Sequence, residues 1–127
     1  MREIHTHKSR RSDPGPQVLA DEELGPGGAP HRYVVVAPFG ANPENLTLHR
    51  DVEILFQHGG VPENGVNGLT IEALLAICID RLEHFQRGPF ACGQNKHAAE
   101  CIASALAALH SRTRERYRCG VEGKEEA

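Results

Sequence analysis

The stretch TIEALLAICIDRLEHFQ, residues 70–86, decides the fold. Thr70 is a good N-cap, Glu72 sits in the first turn beside the positive end of the helix, and the RGP that follows at 87–89 stops it. At 100° per residue, Ile71, Leu74, Leu75, Cys78, Leu82 and Phe85 fall on one stripe, and Ile77 and Ile79 widen the apolar arc to about 200°. A helix with one neighbour needs about half that arc. The surplus predicts further packing partners, most simply other copies of the chain.

Downstream, a second helix is expected from about Gln94 to Tyr117, with Ala98, Ile102, Ala105, Leu106 and Leu109 on one stripe. Gly120 supplies its stop, and Ala99, Ala103, Ala105 and Ala108 permit close helix approach. The connection GPFAC is short, so the two helices form an antiparallel hairpin.

Upstream, RYVVVAPFG (32–40) and DVEILFQHGG (51–60) read as two strands, antiparallel across the turn-rich ANPENLTLHR. GVPENGVNG (60–68) reads as a loop. Residues 1–30 hold four Pro and four Gly among scattered charges and read as a disordered or loosely attached arm. The fold class is therefore α+β: an arm at 1–30, a small antiparallel β unit at 31–60 and a helical hairpin at 61–127, assembled as an oligomer.

The chain of 127 residues supports one small domain, and its formal net charge of -3 excludes a globally basic, nucleic-acid-coating protein. Positive charge is local. Residues 112–118 carry four Arg against one Glu, and the basic HKSRR in the arm is either a solvated tail or a nucleic-acid contact. Cys78, Cys92, Cys101 and Cys119 form no CxxC pair and read as reduced thiols, with Cys78 and Cys101 at positions that suit a small buried residue. The N-terminus has no apolar signal region and no apolar run reaches a membrane span, so a soluble, cytoplasmic protein is expected.

Arg112 and Arg116, spaced i and i+4, share one edge of the second helix's apolar stripe, and Asn95 projects close to the angle of Ile102. Two guanidiniums one turn apart suit the oxygens of a phosphate or pyrophosphate; equally, cations in a last turn complement the helix dipole. Phe85 and Phe90 flank the interhelical turn, either as core or as a base-stacking surface. CGVEGKEEA is either an anion-binding nest or a frayed end. His97, Glu100 and Cys101 have a spacing a metal could use, and Glu83-His84 could supply an acid and a base. No nucleophile, orienting group or fourth ligand accompanies them.

From Leu55 to Gly123 the chain resembles the phage sponge family that includes the Thoeris anti-defence and anti-CBASS proteins. The resemblance rests on NG-x-T-x-EALL, DRL-x-x-FQ-x-GPFAC, Asn95, RT-x-x-R and GVEG taken together. It implies a non-enzymatic, cofactor-free protein of the bacterial host cytoplasm that sequesters a cyclic nucleotide immune signal: glycocyclic ADP-ribose, or cyclic di- and trinucleotides at separate sites of dimers to hexamers. By motif position, Phe85 is expected to stack on the base, Asn95 to hydrogen-bond it, and Arg112 and Arg116 to hold the phosphates. Thr70, Arg118 and Gly120 are expected at a second, oligomer-dependent site. The chain departs from the family pattern at Gly93 and Gln94, where Arg-Glu is common, and at Cys119, where Arg commonly precedes GVEG. Neither a membrane nor a metal is expected as a partner, and the charge balance does not favour nucleic acid. The competing reading is a helical-hairpin interaction module without a small ligand.

Overall fold

The structure is a computed structural model, described here for residues 1–13, 15–38 and 49–118. Four strands form one antiparallel meander in the order β1-β2-β3-β4: β1 (Arg2–Ile4), β2 (Gln17–Ala20), β3 (Arg32–Pro38) and β4 (His49–Leu55). The short α1 (Val61–Asn64) follows, then α2 (Ile71–Gln86) and α3 (Gly93–Arg118). The expected α+β class, the antiparallel pair at β3 and β4 and the helical hairpin are all present. The connection at 39–48 and the GVEG segment lie outside the described residues.

Residues 1–30 correct the expectation of a loose arm. They supply β1 and β2, half of the sheet, and Ala20 on β2 is fully buried. Among the described residues the prolines and glycines of this stretch fall between the strands. Asp13 organises the first turn by accepting from Gly15 N at 2.8 Å, Ser9 N at 3.2 Å and Ser9 Oγ at 3.1 Å. The Gly15 N–H first, and then the Ser9 donors, hold the Asp13 carboxyl below the ordinary carboxylate range. In the second turn, Gly27 and Gly28 both take φ of 84°, a left-handed conformation that glycine adopts without steric cost.

Register sorts the side chains. Ile4 stands opposite Val18, Val18 opposite Val35, Ala20 opposite Tyr33 and Tyr33 opposite Ile54, so one face is apolar across all four strands. The other face holds Val34, 8% exposed, and an Arg32–Glu53 ion pair at 2.7 Å. The apolar face and the first turn of α2 line an open cleft of about 500 Å³, with Val18, Tyr33, Val35, Ile54, Ile71 and Leu74 on its walls. Tyr33 packs edge-on to Phe56 at 5.6 Å beside it.

The strand expected over 51–60 ends at Leu55, and the segment expected as a loop at 60–68 holds α1 and is wired internally. Asn67 Oδ1 accepts from His58 N and Asn67 Nδ2 donates to His58 O, both at 2.8 Å. Gln57 Oε1 accepts from Asn67 N at 3.0 Å, and Gln57 Nε2 donates to Gly65 O at 2.7 Å. These bonds fold the loop back so that Leu69 N reaches Leu55 O at 2.8 Å and Leu69 O receives Gln57 N at 3.0 Å. The hairpin thereby starts on the end of β4.

In the hairpin, Leu75, Ile79, Leu82 and Gln86 of α2 are half-buried, as are Asn95, Ala99, Ile102, Leu106, Leu109, Thr113 and Arg116 of α3. The α3 set advances in alternating steps of four and three, the spacing of an interhelical seam. Cys78 and Cys101, expected as buried, are exposed because each falls one position beside this seam. Ala105 is exposed for the same reason. Among the described residues only Ala20 and Val34 are buried hydrophobics, while Ile71 and Ile77 remain 47% and 63% exposed.

Gly68 makes the closest approach. A Cβ there would stand 2.4 Å from the carbonyl carbon of Phe56 and 2.5 Å from its oxygen, both backbone atoms. Gly68→Ala is therefore expected to destabilise the chain by about 1–3 kcal/mol. Urea denaturation of the two proteins side by side measures this, and an unchanged midpoint contradicts the packing described.

Candidate ligand-binding site

Each end of the hairpin carries part of the expected site. At the turn end, Gly88 N closes α2 by donating to Phe85 O at 3.1 Å, and Cys92 N donates to Gln86 Oε1 at 3.0 Å. Asn95 Nδ2 donates to Phe90 O at 3.2 Å, which ties the first turn of α3 back to the connection. Phe85 is half-buried and meets Phe90 edge-on, with centroids 6.3 Å apart, and Phe90 is 71% exposed. Arg81, one turn before Phe85, lays its guanidinium 5.0 Å from that ring's centroid. Sequence reasoning missed Arg81, although its i, i+4 spacing to Phe85 was the available signal.

At the open end, Arg112 Nη2 lies 4.0 Å from Glu72 Oε1, linking α3 to the first turn of α2. The Arg112 side chain is 42% exposed. Such a long, partly exposed pair contributes at most about 1 kcal/mol. Arg116 is half-buried at the end of the seam and has no ion-pair partner among the described residues. Arg118 pairs with Glu115 on the exposed side. Thr70 caps α2, its Oγ1 accepting from Ala73 N at 3.1 Å. Gly120 lies outside the described residues.

Phe85 and Asn95 are thus brought together, as are Arg112, Arg116 and Thr70. The two groups are not. At 1.5 Å per residue, Arg112 stands about 26 Å along α3 from Asn95, and Arg116 about 32 Å. The arginine beside the aromatic pair of one chain is Arg81.

The residues weighed for other chemistries have these partners. Glu83 reaches Arg87 at 3.9 Å, and His84 Nδ1 donates to Asp80 O at 2.8 Å, so these neighbours do not act as a pair. Cys101 Sγ lies 3.6 Å from His97 Nε2, yet among the described residues no three His, Cys, Asp or Glu side chains are grouped to hold a metal ion. Among the described residues no helix is long and apolar enough to cross a membrane.

Residues 48–116 match the family described as Acb2/Tad1, hairpin domain. The chain belongs to that family. Its match begins at the start of β4 and ends on Arg116, so it takes in Thr70, Phe85, Asn95, Arg112 and Arg116 and leaves out Arg118 and Gly120. The chain is also similar to Thoeris anti-defense 1 of Bacillus phage SBSphiJ7, with 37% identity over 114 residues, covering 77% of this chain and 80% of the relative. That similarity extends beyond the hairpin.

Thr70 has a defined structural role whatever else it does. Thr70→Ala is expected to cost about 1 kcal/mol through loss of the N-cap, and Thr70→Ser to restore most of it. Thermal unfolding of the three proteins checks this; equal melting temperatures refute the capping assignment.

Proposed function

We propose that the protein is a phage anti-defence protein that works by binding and sequestering a cyclic nucleotide immune signal in the host cytoplasm, glycocyclic ADP-ribose foremost, and that it breaks no bond in doing so. The carrying observation is the 37% identity to Thoeris anti-defense 1 across most of both chains. The hairpin's chemistry supports the reading. One end offers aromatic rings and a carboxamide for a base; the other offers two guanidiniums for phosphates.

A ligand of this size cannot reach both ends of one hairpin, so the reading requires a second copy running antiparallel. The outer edge of α3 suits that. Gln94, Ala98, Cys101, Ala105, Ala108 and Arg112 advance in alternating steps of four and three, and the series is symmetric about residue 103. Two such edges laid antiparallel pair Ala98 with Ala108 and Cys101 with Ala105, small residues that permit close approach. The same register sets Gln94 and Asn95 of one copy beside Arg112 of the other. The exposed Ile71 and Ile77 on α2 provide apolar surface for assembly, in dimers or in a larger ring up to a hexamer. Cyclic di- or trinucleotides are further candidate ligands, and Thr70, Arg118 and Gly120 are proposed for their separate site.

The Arg112–Glu72 contact supports a second reading, in which the arginines merely brace the helix end and the hairpin docks on another protein. Phosphate binding is favoured energetically. Hydrogen bonds to a charged group contribute about 1.5–3 kcal/mol, more than an exposed ion pair does.

Isothermal titration with glycocyclic ADP-ribose separates the readings. Arg112→Ala and Arg116→Ala are each expected to weaken binding by roughly 10- to 100-fold, and the ligand recovered after heat denaturation is expected to be chemically intact by mass spectrometry. No binding by the unaltered chain favours the docking module, and a hydrolysed product indicates an enzyme. Glu72→Gln is expected to leave binding intact or tighten it, because it releases Arg112; strong loss would make Glu72 part of the site.

A further inference from the structure

We propose that the turn between β1 and β2 is a separate anion site that takes a compact polyphosphate between Lys8, Arg10 and Arg11. Residues 1–13 carry four Lys or Arg against two Asp or Glu, a surplus of two positive charges. Residues 14–127 carry ten against fifteen, a deficit of five, so the turn is a positive island in an acidic chain. His5, Lys8, Arg10 and Arg11 line an open concavity of about 520 Å³.

The turn is built to keep that charge available. Both oxygens of Asp13 are engaged in holding backbone and hydroxyl donors of Gly15 and Ser9, so its carboxylate braces the turn instead of pairing with the neighbouring arginines. His7 Nε2 donates to Pro16 O at 2.7 Å, and Lys8 N to His5 O at 3.0 Å, which fix the backbone on both sides of the cluster. Among the described residues Glu3 is the acid that pairs with the cluster, 3.8 Å from both Lys8 Nζ and His5 Nδ1. Arg10 and Arg11 have no ion-pair partner among the described residues. Two planar guanidinium forks and an ammonium around one concavity match the oxygens of adjoining phosphates.

The shape selects the ligand's size. A concavity of this volume lies within the range of small-molecule sites. A nucleic acid, in contrast, is gripped by cations strung along many phosphates, and one turn offers a point rather than a track. This site does not depend on the hairpin reading, which uses other residues at the opposite end of the chain.

The test uses the full chain and tripolyphosphate. Titration calorimetry is expected to give one site per chain that persists in the Arg112→Ala/Arg116→Ala double variant and weakens about tenfold or more in Arg10→Ala/Arg11→Ala. As a measurement that needs no variant, tripolyphosphate is expected to protect Lys8 from amine acetylation, read by peptide mass spectrometry. Unchanged affinity in Arg10→Ala/Arg11→Ala, or unprotected Lys8, overturns the proposal. Tighter binding of a DNA duplex than of tripolyphosphate overturns it too, and makes the turn a nucleic-acid contact.

Discussion

The seam between α2 and α3 is the constraint on which the molecule turns. It is a single row of half-buried side chains, one row from each helix, and it consumes only part of the apolar arc that the sequence of α2 presents. Much beside the row stays open: Ile71, Ile77 and Cys78 on α2, and Cys101, Ala105 and Ala108 on α3. Apolar area left against water forgoes about 25 cal/mol per Å² of stabilisation, so a chain with this geometry is favoured to find further neighbours. The sheet does not cover the deficit, since its apolar face meets α2 only near Ile71 and Leu74 and leaves an open cleft there.

The same seam explains why the candidate site is divided. A rigid rod separates the aromatic and carboxamide end from the guanidinium end, and no side-chain rearrangement within one chain closes a gap of about 26 Å. Under the proposed function, ligand capture is linked to self-association. If only the assembled form completes the pocket, ligand and partner stabilise each other by mass action. Arg112 fits that scheme: in the single chain it rests on Glu72, a weak contact that a phosphate can replace.

Much of this was legible in the residues. Thr70 as cap, the stop after Gln86 and the short connection fixed α2 and the direction of α3 to within a residue or two, because capping and helix-breaking act locally. β3 and β4 were visible from their branched residues. β1 and β2 were not. Strands of three and four residues carry too little periodicity to read, and they exist through pairing, β1 with β2 and β2 with β3, a non-local cause absent from local composition. The candidate site residues came from spacing and family resemblance; the reading set Phe85 and Phe90 at the interhelical turn but did not include Arg81, the cation that lies over Phe85. Exposure of Cys78 and Cys101 could not be foreseen without knowing which edge of a broad apolar arc would become the seam.

The wiring at Asn67 has a consequence for how the protein ages. An asparagine followed by glycine is the pair most prone to lose its side-chain amide, since the next backbone nitrogen is free to attack it. Here both ends of the Asn67 carboxamide are clamped to the His58 backbone, so that reaction is held back while the loop stays closed. Once converted to aspartate, the residue would present an oxygen where it had donated to the His58 carbonyl, and two acceptors would face each other. Damage at this one position would loosen the join between β4 and the hairpin, so chemical wear would be felt as loss of the angle at which the two helices are held.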